Sequence, residues 1–444
     1  MKIGMRRLHL FILLFAASSL LFQLPPEAFA STPSDITATD SETDGVNSFD
    51  ELDGAHGVST FTIGSSTYAI VVSHQDDGVQ IIDISDPTDI VAMDSETDGV
   101  NSFDELERAY EVDTFVIGSS TYAIVTATVD DGVQIIDISD PAAIVAKDSM
   151  TDSGKLELDG AYGVDTFVIG SSTYAIVTAS ADDGVQIIDI SDPAAIVAKD
   201  RETDGVNSFD ELDGAHGVST FTIGSSTYAI VVSHQDDGVQ IIDISDPTDI
   251  VAMDSETDGV NSFELDGVRN VSTFTIGSST YAIVVTFNDD GVQIIDISDP
   301  ANIVVTDTET DGENSFDELN GAYEVDTFVI GSNTYAIVAS YFDSGVQIID
   351  ISDPTDIVAM DSETDGVNSF DELQVAISVD TFTIDSSMYA IVAAWTDDGV
   401  QIIELNTDTT SPTVTITSSS GDSGDSTSST TLSYTATFSE SVSN

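Results

Sequence analysis

The chain has 444 residues, 80 Asp and Glu against 9 Lys and Arg, a formal charge of -71 and no cysteine, yet 41% of it is hydrophobic. A surface of that sign repels nucleic acid and anionic lipid, so neither is expected as a partner, and disulfides cannot stabilise the fold. The apolar share, rich in Val, Ile and Thr, is enough for a large core and sets general disorder aside.

At the N-terminus Lys2, Arg6 and Arg7 precede the apolar run Leu8 to Phe22 and the small-residue site Ala28-Phe29-Ala30. That order predicts a secretory signal peptide over residues 1–30, because the run is shorter than the roughly 20 residues a spanning helix needs. A secreted, cell-surface location follows as an expectation.

Next comes Asp35 to Asp40, an orphan copy of a fourth strand with no first, second or third strand before it. The reason becomes clear from the repeat. Asp-Gly-Val-Gln-Ile-Ile recurs with its glycine at Gly78, Gly132, Gly184, Gly238, Gly291, Gly345 and Gly399, with Ser344 replacing the Asp once. The spacings are 54, 52, 54, 53, 54 and 54 residues. In the third copy four strands are expected: Gly163 to Ile169, Ser172 to Ala179, Val185 to Ile190 and a short edge, Ala195 to Lys199. They are β-branched runs separated by Gly170-Ser171, Asp182-Asp183-Gly184 and Ser191-Asp192-Pro193, which are turn formers. One such meander cannot cover both its apolar faces, so copies must stack. The predicted fold over residues 31–406 is all-β: a seven-bladed β-propeller of four-stranded antiparallel blades. The seventh copy ends at Leu405 without a fourth strand, so the N-terminal strand is expected to close it and remove the open edges.

The phrase Gly-Val-Gln-Ile-Ile-Asp-Ile-Ser-Asp-Pro, preceded by Tyr-Ala-Ile-Val, resembles the LVIVD repeat of prokaryotic surface propellers. The resemblance covers roughly residues 35–406 and implies the fold and an extracellular setting, with no defined activity. This unit departs from propeller repeats of about 42 residues by an acidic insertion between fourth and first strands.

That insertion, Asp94 to Glu105, resembles the twelve-residue calcium loop of the EF-hand. Calcium ligands would be Asp94, Glu96, Asp98, the Val100 carbonyl, Ser102 and Glu105, with Gly99 at the sharp turn. Similar runs start at Asp40, Asp200, Asp307 and Asp361, and degenerate ones at Asp148 and Asp254. Glu at the third position, Asn101 at the eighth and the lack of flanking helices oppose a true EF-hand, leaving a solvated acidic turn as the other reading.

The copies differ most where the chain enters the first strand and at the turn between second and third strands. These two places lie on the same end of a propeller blade. The first set is His56, Tyr110, Tyr162, His216, Arg269, Tyr323 and Ile377; the second is His74, Thr128, Ser180, His234, Phe287, Tyr341 and Trp395. From them the expected binding face is Tyr110, Tyr162, Arg269, Phe287, Tyr323, Tyr341 and Trp395, since rigid aromatics supply contact area at low entropic cost. Loop drift and capping of the channel are the alternatives. The His pairs repeat because Glu42 to Phe103 is identical to Glu202 to Phe263, so a shared zinc site is not expected.

Residues 407–444 turn to Thr and Ser, with Thr413 to Thr417 and Leu432 to Glu440 as strand candidates. They are similar to the opening of bacterial immunoglobulin-like domains, which implies an incomplete C-terminal β-sandwich segment. Any membrane association would come from parts beyond it. No nucleophile elbow, phosphate loop or unique Ser-His-Asp set occurs, and near-identical blades offer few asymmetric sites. The expected function is a non-enzymatic adhesion or binding module for a protein or glycan. A structural envelope component, or a hydrolase or lyase acting in the channel, are the other readings.

Overall fold

The computed structural model describes residues 36–405, 414–418 and 434–438. Between 36 and 405 lie seven four-stranded antiparallel sheets, the blades of a propeller. Blade 3 consists of Ala161–Ile169, Ser172–Ala179, Gly184–Asp189 and Val197–Thr203. The first three match the sequence expectation closely. The fourth starts later and runs into the acidic segment, because a register shift between Gln186 and Ile188 lets Glu202 pair with Val185 and Thr203 with Gly184. The first third of what reads as an acidic loop is therefore paired strand. In the Asp-Asp-Gly turn it is Asp183, at φ 55°, that takes the left-handed conformation. Gly184 is needed for room, since a Cβ there would stand 2.5 Å from the Glu202 carbonyl oxygen.

The core is built between blades, not within them. Phe61, Ile70, Val72, Val79 and Ile81 of blade 1 pack with Phe103, Leu106, Val112, Val125 and Ile136 of blade 2, and equivalent clusters recur around the ring. One sheet alone would leave these apolar faces wet, which is why the copies must stack.

The N-terminal strand Thr37–Thr43 pairs antiparallel with Gly399–Glu404, from Thr37 opposite Glu404 to Thr43 opposite Gly399. It completes the sheet of Ala376–Ile384 and Ser387–Ala394, as the orphan strand predicts. Ile36 joins the core of blades 6 and 7.

Three sets of hydrogen bonds run from blade to blade, each closing a ring of seven. In the outer set Asp94 Oδ2 accepts from Ile144 N, and the same bond is made by Asp40, Asp148, Asp200, Asp254, Asp307 and Asp361 at 2.7 to 2.9 Å; Asp361 accepts from Ile36. In the loop set Asp77 accepts from Arg108 N, Asp131 from Gly160, Asp183 from Gly214, Asp237 from Gly267, Asp290 from Gly321, Ser344 from Val375 and Asp398 from Gly54. The third set lines the channel and is described below. A carboxylate accepting a backbone N–H makes a strong, charge-assisted bond, so much of the acidity is structural.

Val414–Ser418 pairs antiparallel with Tyr434–Phe438 as a separate two-stranded piece. The leader expectation for residues 1–30 lies outside the described residues. Among the described residues no helix is long and apolar enough to cross a membrane.

Candidate functional site: the mouth of the central channel

First strands of consecutive blades lie side by side around the axis, from Ala55–Ile63 through Ala376–Ile384. Their second residues project into the channel mouth. Ring centroids are 3.7 Å apart for His56 and Tyr110, 3.6 Å for Tyr110 and Tyr162, and 3.7 Å for Tyr162 and His216. The hydroxyls of Tyr110 and Tyr323 meet at 2.5 Å. They come from blades 2 and 6, whose first strands, Ala109–Ile117 and Ala322–Ile330, are identical. Arg269 Nη1 donates to His216 Nε2 at 3.2 Å, while His216 Nδ1 lies 2.8 Å from the Arg269 carbonyl oxygen. That pairing places the imidazole proton on Nδ1. Burial and then Arg269 hold His216 well below its ordinary pKa, so it stays neutral and accepts the guanidinium. Arg269 also lies over Phe287, at 4.9 Å from the ring centre, a cation–π contact.

This inner set is a plug. Tyr110 is 6% exposed, His56 4% and Ile377 1%, and their rings spend their surface on each other. Of the expected binding face, Tyr110 is buried, while Tyr162, Arg269 and Tyr323 are half-buried within the ring of seven inward side chains that converge on the axis. The second-to-third-strand turns supply the other three residues of that face. Phe287, Tyr341 and Trp395 are half-buried on the rim, with Trp395 against His74 at 4.8 Å and Phe287 against Tyr341 at 5.6 Å. Phe342, 57% exposed and 4.9 Å from Phe287, belongs to this group and was not singled out from sequence. Its signal is a comparison one residue further along the turn, where the other blades carry Gln75, Val129, Ala181, Gln235, Asn288 and Thr396.

Beneath the plug is a cavity of about 220 Å³ lined by Glu111, Asp113, Asp165, Glu324, Asp326 and Asp380 and by no Lys or Arg. Four of these acids belong to the third ring of blade-to-blade bonds. Asp113 accepts from Thr166 N, Asp165 from Thr220, Asp326 from Thr381 and Asp380 from Thr60, at 2.6 to 3.0 Å. Where the blade has serine, hydroxyl pairs replace them: Ser59 with Thr114, Ser219 with Thr273, Ser272 with Thr327. Burial, and then the neighbouring aspartate, push Asp165 and Asp380 up.

The residues of the calcium-loop expectation are not gathered. Asp94 serves the next blade at Ile144 N, Glu96 accepts both bonds from Asn101 Nδ2, Asp98 accepts from Leu106 N, and Glu105 accepts from the Thr151 hydroxyl. The Val100 carbonyl accepts from Phe103 N, and Ser102 is an exposed residue at φ 68°. Each acid is committed to its own donor, and the turn wraps around the buried anchor Phe103, 1% exposed. Among the described residues no three His, Asp or Glu stand close enough to chelate an ion.

The geometry defines a class: a seven-bladed propeller with a plugged channel. Within it, the chain carries LVIVD repeats. The model of that repeat matches residues 65–97, 119–152, 171–203, 225–257, 278–308 and 329–364, the second to fourth strands of blades 1 to 6. The chain is also similar in fold to a functionally unknown protein from Desulfotomaculum acetoxidans DSM 771, with a TM-score of 0.51, 13% identity, and coverage of 76% of this chain and 98% of that one. No curated protein matches the sequence.

Proposed function

We propose that the chain is an exported, non-enzymatic recognition module that engages a protein or glycan through its rim. Supporting this is the cluster of Phe287, Tyr341 and Phe342, with Trp395 beside His74, on the turns where otherwise near-identical blades diverge. Rigid aromatics exposed on a fixed scaffold are efficient contact residues. The surrounding acids favour a basic or neutral partner and oppose a polyanion. The leader-like N-terminus and the two tail strands fit surface display, with the tail opening an immunoglobulin-like domain. A hydrolase or lyase in the channel has one supporting observation, the buried acids with raised pKa; the Tyr110–Tyr323 bridge stands between them and the rim.

Trp395, the only tryptophan, is a built-in reporter. Titrating the protein with dextran, a neutral galactan and lysozyme, with heparin as anionic control, is expected to give a saturable change in its emission for at least one of the first three. Phe342→Ala with Tyr341→Ala is expected to weaken that binding at least tenfold. Binding unaffected by those substitutions, or heparin as the sole ligand, contradicts the rim reading.

A further inference from the structure

Glu111 and Glu324 stand outside the three rings of seven blade-to-blade bonds. They occupy the third position of the first strand, where blades 1, 3 and 4 carry Gly57, Gly163 and Gly217. An added Cβ at those glycines would stand 2.4 to 2.8 Å from the next blade's backbone. At so crowded a position two glutamates on identical strands are not explained by packing. Glu111 Oε1 accepts only from the N–H of its neighbour Val112, at 3.2 Å, and Glu324 accepts from the Ser378 hydroxyl of blade 7.

An independent observation points into the same space. His56 lines the cavity, is 4% exposed, and its Nδ1 has no hydrogen-bond partner. Its duplicate, His216, has both ring nitrogens occupied by Arg269, but the corresponding residue beside His56 is Tyr110. A buried nitrogen without a partner is destabilising, so a partner is expected there.

We propose that this chamber holds one hydrated divalent cation, with Glu111 and Glu324 gripping its water shell and His56 Nδ1 accepting from one of its waters. The inference is independent of what docks on the rim. Among the described residues no three ligand groups converge for direct chelation; small hard cations of the magnesium type instead keep several waters and bind through one or two carboxylates. The cavity of about 220 Å³ has room for such a shell, as a single water needs only ~15 Å³. Charge argues the same way: six acids line the space with no Lys or Arg.

Calorimetric titration of the full chain with magnesium chloride, at ionic strength matched with sodium chloride, tests this. One saturable site per chain is expected, weakened at least tenfold by Glu111→Gln with Glu324→Gln and retained by Glu96→Gln with Glu363→Gln in the outer turns. The channel double variant is expected to melt no lower than the natural protein without metal, because a repulsion has been removed, and to lose the magnesium-dependent rise. If that variant does not fold, terbium excited through tyrosine decides: emission should fall in Tyr110→Phe with Tyr323→Phe. No saturable binding above salt, binding that survives the channel substitutions, or terbium emission unchanged without the two tyrosines each overturns the proposal.

Discussion

A glutamate in the turn before each first strand shows how a residue's setting fixes its chemistry. Burial first, and then aspartates, push Glu51, Glu105, Glu211, Glu318 and Glu372 up to about 7. In Glu51 and Glu105 the Thr97 and Thr151 hydroxyls act the other way. One oxygen of each of the five is buried without a partner, lodged against the glycine that opens the third strand of its blade, such as Gly78 or Gly132. Blade 3 is the internal control: Glu157 has Arg201 beside it at 3.4 Å. A folded pKa above the unfolded one means that the native state holds protons the unfolded chain has released. Stability is therefore fully present below about pH 4.5, falls as pH rises through about 7, and levels off above. Melting temperature is expected to be higher at pH 5 than at pH 8, with a smaller difference in Glu51→Gln with Glu105→Gln. A melting temperature that rises with pH over that range contradicts the assignment.

The glutamine of the repeated motif was legible only as an identity. Gln134 is 1% exposed, donates to the carbonyls of Ile135 and Asp148, and accepts from Asp104 N. Blade 5 lacks a residue before Glu264, and there Gln293 Oε1 is left unpartnered. The deletion is visible in the sequence; that it orphans a buried oxygen on another strand is not.

Among the elements, the second strands were readable because β-branched runs and turn residues bound them sharply. The fourth strands, the closing one included, were readable at their start but not at their end, since Asp and Glu are poor strand formers and pairing there is imposed by the neighbouring strand across a bulge. The hydrogen-bond partners of the acidic turn were hidden for a related reason. Acids at alternate positions mimic an ion's ligand spacing, while Asp94, Asp98 and Glu105 accept from backbone and hydroxyl donors in three directions. The closing strand carries a prediction of its own. Deleting residues 36–43 bares the edge of Gly399–Glu404 and removes the Asp361–Ile36 and Asp40–Ile90 bonds. Lower melting temperature and self-association through the open edge are expected in a thermal scan and size-exclusion chromatography; a monomer with unchanged melting would show that closure does not depend on this strand.

At the scale of the whole molecule, three rings of seven hydrogen bonds join every blade to the next, and most of their acceptors are aspartates. The acidic composition is thus part of what closes the propeller. Duplication supplied near-identical blades, and asymmetry entered at two levels of one axis: the rim, with Trp395, Phe287, Tyr341 and Phe342, and the chamber, with Glu111 and Glu324. The central claim is that partners meet the rim and not the channel interior. Amide hydrogen exchange, with and without the titrant that shifts Trp395 emission, tests it most directly. Protection confined to the turns around residues 287–288, 341–342 and 395–396 is the predicted result. Protection centred on the first strands around Glu111 and Glu324, with the rim turns unchanged, would contradict it.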